Sequence, residues 1–206
     1  MSFDTRLSWP IFLIIVLCLC FPLVETAFFT WLNIESVRVF ENIQAALLLL
    51  FAIITYVYMK PLSLNTDKKV FWLWAVCWWV LLFGRSTSWG RDYFPEVPKI
   101  YFRSISVVLI ASVVFPLFNA TLRKEIANKF KTMCIPLWGV IMALMGLIIS
   151  DSIEHHRWIS HYFVNDVARR DLVEELYEFP FIIGLFYISF IIMKQDKTAD
   201  NKINTQ

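Results

Sequence analysis

"CIPLWGVIMALMGLIIS", residues 134–150, runs directly into "DSIEHHRWISH", residues 151–161, and the pair decides how the whole chain is read. The first stretch carries no charged residue over nearly the ~20 positions that cross a ~30 Å hydrocarbon layer as helix. The second gathers all three histidines of the chain, His155, His156 and His161, beside Asp151, Glu154 and Arg157. An uncharged run of this length, ending in a dense polar cluster, marks a passage from lipid to water.

Five further runs of the same kind surround it. The six spans lie at roughly 9–31, 41–59, 70–89, 101–120, 133–151 and 174–193. Of the 206 residues, 58% are hydrophobic and 17% aromatic, above the roughly half-apolar content of soluble domains. Membrane barrel strands would alternate polar with apolar residues, and these runs do not. The expectation is an all-α membrane protein, a bundle of about six transmembrane helices. It forms a single domain over 1–193, with a polar, disordered cytoplasmic tail over 194–206. The first run exceeds the apolar core of a signal peptide and precedes no small-x-small cleavage site, so it reads as a retained span.

Charge orients the bundle. With six spans, the termini share a side with loops 60–69 and 121–132, and that side carries eleven of the nineteen lysines and arginines. Positive loops face the cytoplasm, which places both termini inside a bacterial inner membrane. Twelve of the seventeen acidic residues lie on the other side, together with seven of the nine arginines. Arginine mixed with carboxylates points to planar, bidentate pairing or to phosphate recognition. The outward face therefore reads as an organised polar network.

Cys18, Cys20, Cys77 and Cys134 form no CxxC pair and none sits in an outward loop, which excludes membrane thiol exchange. No internal repeat and no glycine-rich phosphate loop is present. The bilayer is the expected surrounding, and no nucleic acid is expected among the partners.

Three constellations carry possible chemistry. In "DLVEELYEFPF", residues 171–181, Asp171, Glu174 or Glu175, and Glu178 recur at three- and four-residue spacing on one helix face. Carboxylates in a first turn suit the helix dipole, yet Glu178 lies deeper than a cap requires. Capping with ion pairing and a ligand or catalytic site both fit. In the second, Asp151, Glu154 and His155 stand at i, i+3 and i+4, a spacing that fits half of a divalent-metal site. Glu154 and His155 with Glu175 and Glu178 are then the candidate ligands, against the alternatives of proton handling or simple solvation. The third joins Glu41, in "RVFENIQ", to Arg85 and Arg91, in "FGRSTSWGRDYF". There, Arg85 paired with Glu41 or Glu25 competes with a phosphate or carboxylate clamp of Arg85 and Arg91, with Gly84 and Gly90 permitting close approach. Glu41, Arg85, Arg91, Asp151, Glu154, His155, Glu175 and Glu178 are thus expected to line an outward-opening pocket.

The "SWG" at 88–90 and the "EELYE" at 174–178 resemble a group of bacterial multi-pass inner-membrane proteins. The matching positions are Glu41, Ser88, Trp89, Gly90, Arg91, Glu174, Glu175 and Glu178. The chain departs at Arg85 and Ser86, where the pattern has acidic residues, which weakens a shared metal site. The resemblance implies a location and no activity. Three functions stay open: an enzyme or binder of a lipid headgroup, a small proton-coupled transporter, and a non-catalytic partner of another membrane protein.

Overall fold

The computed structural model describes the backbone of residues 2–32, 37–91 and 93–204, with side chains except at 26, 30–32 and 200–204. Among these residues the chain is all-α. Its helices are α1 (Trp9–Leu32), α2 (Val37–Met59), α3 (Thr66–Ser86), α4 (Lys99–Val114), α5 (Ala120–Thr132), α6 (Leu137–Glu154) and α7 (Arg170–Asn204). Two three-residue strands, Ser2–Asp4 and Cys134–Pro136, are the only extended elements among the described residues. Helix is the form in which an apolar segment satisfies every backbone polar group from within itself.

Four segments are long and apolar enough to cross a membrane: Val37–Ser63, Lys99–Phe118, Leu137–Glu154 and Val167–Ala199. A shorter apolar helix covers Trp9–Glu25. α3 falls outside this set because Asp67, Lys68, Lys69 and Arg85 crowd its ends and indole rings dilute its hydropathy. Local chemistry sets the boundaries. The Asn65 side chain accepts from Lys68 N at 3.3 Å and starts α3 ahead of its apolar run. Pro98 and Pro136 stand immediately before α4 and α6, and cannot donate into a preceding turn.

The chain forms two compact units. The first comprises Met1–Ser2, Asn42–Cys134 and Phe190–Gln206; the second comprises Phe3–Glu41 and Ile135–Ser189. α2 and α7 each contribute residues to both.

In the first unit, α3 is held to α4 by the Trp74 indole, which donates to Val113 O at 2.9 Å. It is held to α5 and α7 by a buried ionic cluster. Lys129 of α5 pairs with Asp196 of α7 and with Glu125, the latter at 3.2 Å. The Trp72 indole donates to Asp196 at 2.8 Å, and the Lys129 ammonium lies 5.3 Å from the Phe71 ring centroid. Lys129 and Asp196 are 5% and 1% exposed, so neither behaves as the solvated loop charge its neighbourhood in sequence implies. Asp196 of this cluster lies within the stretch 194–206, read from the sequence as a disordered tail. α7 continues to Asn204. Its polar extension is anchored by Asp196 and by Gln195, which exchanges hydrogen bonds with the Cys134 backbone at 2.9 and 2.7 Å.

In the second unit, α6 and the first part of α7 meet along small residues. A Cβ on Gly146 would lie 2.5 Å from Phe181 N and 2.9 Å from Tyr177 O, so only glycine permits this approach. Gly184 meets the Ala143 backbone in the same way. α1 docks on α7 through a proline. Pro22 has no N–H to give to Cys18 O four residues back, and the buried Tyr177 hydroxyl donates to that carbonyl instead, at 2.9 Å. Phe21 and Phe163 pack edge-on against the Tyr177 ring, at 6.1 and 5.4 Å between centroids.

Candidate functional site

The eight expected pocket residues are shared between the units. Arg85 and Arg91 belong to the first; Glu41, Asp151, Glu154, His155, Glu175 and Glu178 belong to the second. Each unit presents its own polar site.

In the first unit, α3 ends where the Thr87 hydroxyl donates to Phe83 O and Gly84 O, each at 3.1 Å. Three successive left-handed residues follow: Ser88 at φ 48°, Trp89 at 60° and Gly90 at 92°. Only glycine visits this region without cost, and each L-residue there forfeits roughly 1–2 kcal/mol. Two strained residues in a row are kept where the surrounding structure over-determines them, and such places cluster at functional sites. Here the turn brings the Trp89 ring against Gly84, whose would-be Cβ lies 2.8 Å from Cε3 and Cζ3 of the indole.

The turn opens a cavity of about 400 Å³, lined by Arg85, Ser88, Trp89, Arg91, Lys99, Phe102, Arg103 and Ser106. Four of the eight are cations and none is a carboxylate. Among the described residues, no ion pair involves Arg85, Lys99 or Arg103; Asp92 lies outside the described residues. The expected pairing of Arg85 with Glu41 or Glu25 is therefore not among the ion pairs described, whereas Arg85 and Arg91 line one cavity together with Lys99 and Arg103. Lys99, Phe102, Arg103 and Ser106 stand at i, i+3, i+4 and i+7 on α4, a helix face legible in "KIYFRSIS". Sequence reasoning passed over it because the two cations were counted as outward charge without being placed on a face.

In the second unit the histidine-rich corner is a helix terminus. His156 N donates to Ile153 O at 3.3 Å and Arg157 N to Ser152 O at 2.9 Å, with His156 left-handed at φ 54°. This is the paired-bond termination that glycine usually serves, and histidine is among the few residues enriched there. One side-chain oxygen or nitrogen each from Asp151, Glu154 and His155 lies within 4.8 Å of the others, a spacing that could hold a divalent metal. Other partners meet these groups first. Arg157 reaches Asp151 at 2.8 Å. His155 Nδ1 lies 3.1 Å from the Asp151 carbonyl oxygen and 3.4 Å from the Asp151 carboxylate. Glu175 and Glu178 are not members of this group. Glu174, given a capping role by its position, interacts electrostatically with Glu154 and His155.

Glu25, on α1, is wholly buried. Its Oε2 accepts from Asn165 N at 2.8 Å, while its Oε1 has no hydrogen-bond partner among the described residues. Asn165 also donates to Pro22 O, so one loop residue closes both the proline bend and the buried carboxylate.

No family model, curated protein or solved structure matches this chain. The geometry of the two sites carries the functional argument.

Proposed function

We propose that the chain is a multi-pass bacterial inner-membrane protein of about six transmembrane helices, both termini cytoplasmic, which binds the phosphate-bearing headgroup of a membrane lipid in the α3–α4 cavity. The observation that carries this is the convergence of Arg85, Arg91, Lys99 and Arg103 on one cavity whose described lining has no carboxylate. Like charges brought together at partial exposure repel one another, and an anion seated among them turns that repulsion into attraction. Three guanidinium forks match phosphate oxygens in pairs, and the lysine adds a point charge.

The location supports a lipid ligand. The cavity lies where α4 begins, and α4 leaves Ile100, Tyr101, Ile105, Val107 and Val108 exposed along most of its circumference. An exposed apolar helix next to four cations is the composition of a hydrocarbon boundary, where headgroup phosphates lie. The excess of cations in loops 60–69 and 121–132 supports the orientation.

The test is equilibrium binding of glycerol phosphate, a headgroup without chains, to the detergent-purified full chain. Arg85→Ala and Arg103→Ala should each weaken binding at least about tenfold, the worth of one charge-assisted contact. Affinity should also fall steeply with salt. Unchanged binding in both variants, or no binding by the wild type, would refute the assignment.

A further inference from the structure

Behind the cationic cavity lies a second one, of about 500 Å³, and the two share Trp89. Where the first is lined by cations, this one is apolar, its walls formed by Ala45, Ala46, Val80, Phe83, Ile105 and Leu109. The strained Ser88–Trp89–Gly90 turn contributes to both, Ser88 and Trp89 to the first and Trp89 and Gly90 to the second. Near the turn the groove also has a polar edge, where the Tyr93 hydroxyl donates to Asn42 Oδ1.

A cationic chamber joined through one aromatic side chain to an apolar groove is complementary to an amphiphile with an anionic head. We propose that the lipid whose phosphate occupies the cationic cavity runs one acyl chain past Trp89 into this groove, so that Trp89 sets the register between headgroup and chain. The proposal rests on the headgroup reading above and names the ligand's class: an anionic phospholipid with a terminal phosphate. Charge decides the head, because a zwitterionic headgroup would bring its own cation to a chamber that already holds four. Shape decides the tail. Inside a bilayer the groove gives a chain little transfer free energy, since lipid tails are already its solvent. What the groove provides is a fixed position for one chain relative to one phosphate. That need accounts for two non-glycine residues kept left-handed at Ser88 and Trp89, and for a glycine at position 84 beneath the indole.

The experiment is photo-crosslinking of the full chain in phosphatidylcholine vesicles containing phosphatidic acid with a diazirine on one acyl chain. Glycerol phosphate binding is measured in parallel on the same proteins. Adducts should concentrate on residues 42–46, 80–87 and 105–109. They should fall about tenfold in Ala46→Phe, a substitution that fills the groove with an overpacking effect of ordinary size. Glycerol phosphate binding should be unchanged in that variant, which also shows that it is folded. A phosphatidylcholine probe with the same chain should label the groove far more weakly. Adducts spread evenly over lipid-facing helices, equal labelling by the two probes, or labelling unchanged in Ala46→Phe would overturn the groove while glycerol phosphate binding left the cationic cavity standing. A wild type that binds no glycerol phosphate would remove the headgroup reading, and this inference with it.

Discussion

Asp196→Ala should be among the most damaging single changes outside the apolar core, although a sequence reader would place it in a solvated tail. Three groups lose a partner in this variant, the most distant being the Lys68 ammonium at 3.8 Å. The buried Trp72 indole N–H loses its acceptor at 2.8 Å, and the Lys129 ammonium loses the nearer of its two carboxylates. A hydrogen bond to a charged group contributes about 1.5–3 kcal/mol. Orphaning one member of a buried ion pair costs about 3–5 kcal/mol, but Lys129 keeps Glu125 at 3.2 Å, so only part of that penalty applies. The expected total is about 3–4 kcal/mol, and Asp196→Asn, which still accepts from Trp72, should cost about half as much. Lys129→Met should cost about 3 kcal/mol because it takes the nearest cation from both carboxylates, leaving Asp196 the Trp72 indole and Lys68 at 3.8 Å. The double variant Lys129→Met with Asp196→Asn should fall short of the sum of its singles by about 2 kcal/mol, as contacting residues do. The assay is reversible unfolding in mixed micelles with rising dodecyl sulfate fraction, followed by tryptophan fluorescence. A cost below about 1 kcal/mol for Asp196→Ala, or strict additivity in the double variant, would refute the buried cluster and return residues after Met193 to a disordered tail.

The same unfolding assay serves three further expectations. Tyr177→Phe leaves Cys18 O without a donor and should cost about 1–3 kcal/mol; with Pro22→Ala restoring a backbone N–H to that carbonyl, the cost should largely vanish. Gly146→Ala should cost about 2–3 kcal/mol because its Cβ meets the α7 backbone. Gly139→Ala should cost less, since its Cβ meets side chains and no backbone, the Tyr187 ring edge at 2.8 Å and Ile188 Cγ1 at 3.3 Å, and an equal cost at the two positions would count against the close approach. His156→Gly should stabilise the chain by about 1 kcal/mol by relieving a left-handed residue at the end of α6, whereas a loss of stability would mean that the imidazole has a structural role beyond the cap.

The chain's helical class and the rough extent of its apolar segments were legible from composition and run length. These properties are local: a stretch such as 134–150 has to satisfy its backbone from within wherever it is placed. That Arg85 and Arg91 lie close together was legible too, because arginines and glycines crowd one short stretch. What the linear pattern could not convey was pairing at a distance. Lys129 and Asp196 are 67 positions apart, and each looks like an ordinary loop charge until tertiary packing removes both from water. The Cys18 carbonyl reads as helix interior until Pro22 is set against Tyr177, 159 residues beyond Cys18. The "EHH" stretch carries two features at once: Asp151, Glu154 and His155 come within 4.8 Å of one another, while His156 caps a helix and Arg157 pairs with Asp151. Sequence by itself determined which segments are helical and which side chains carry charge. Only the tertiary structure decided which charges are buried against partners and which line one cavity, because Coulomb energy and desolvation depend on distances between segments, and run length and composition carry no such distances.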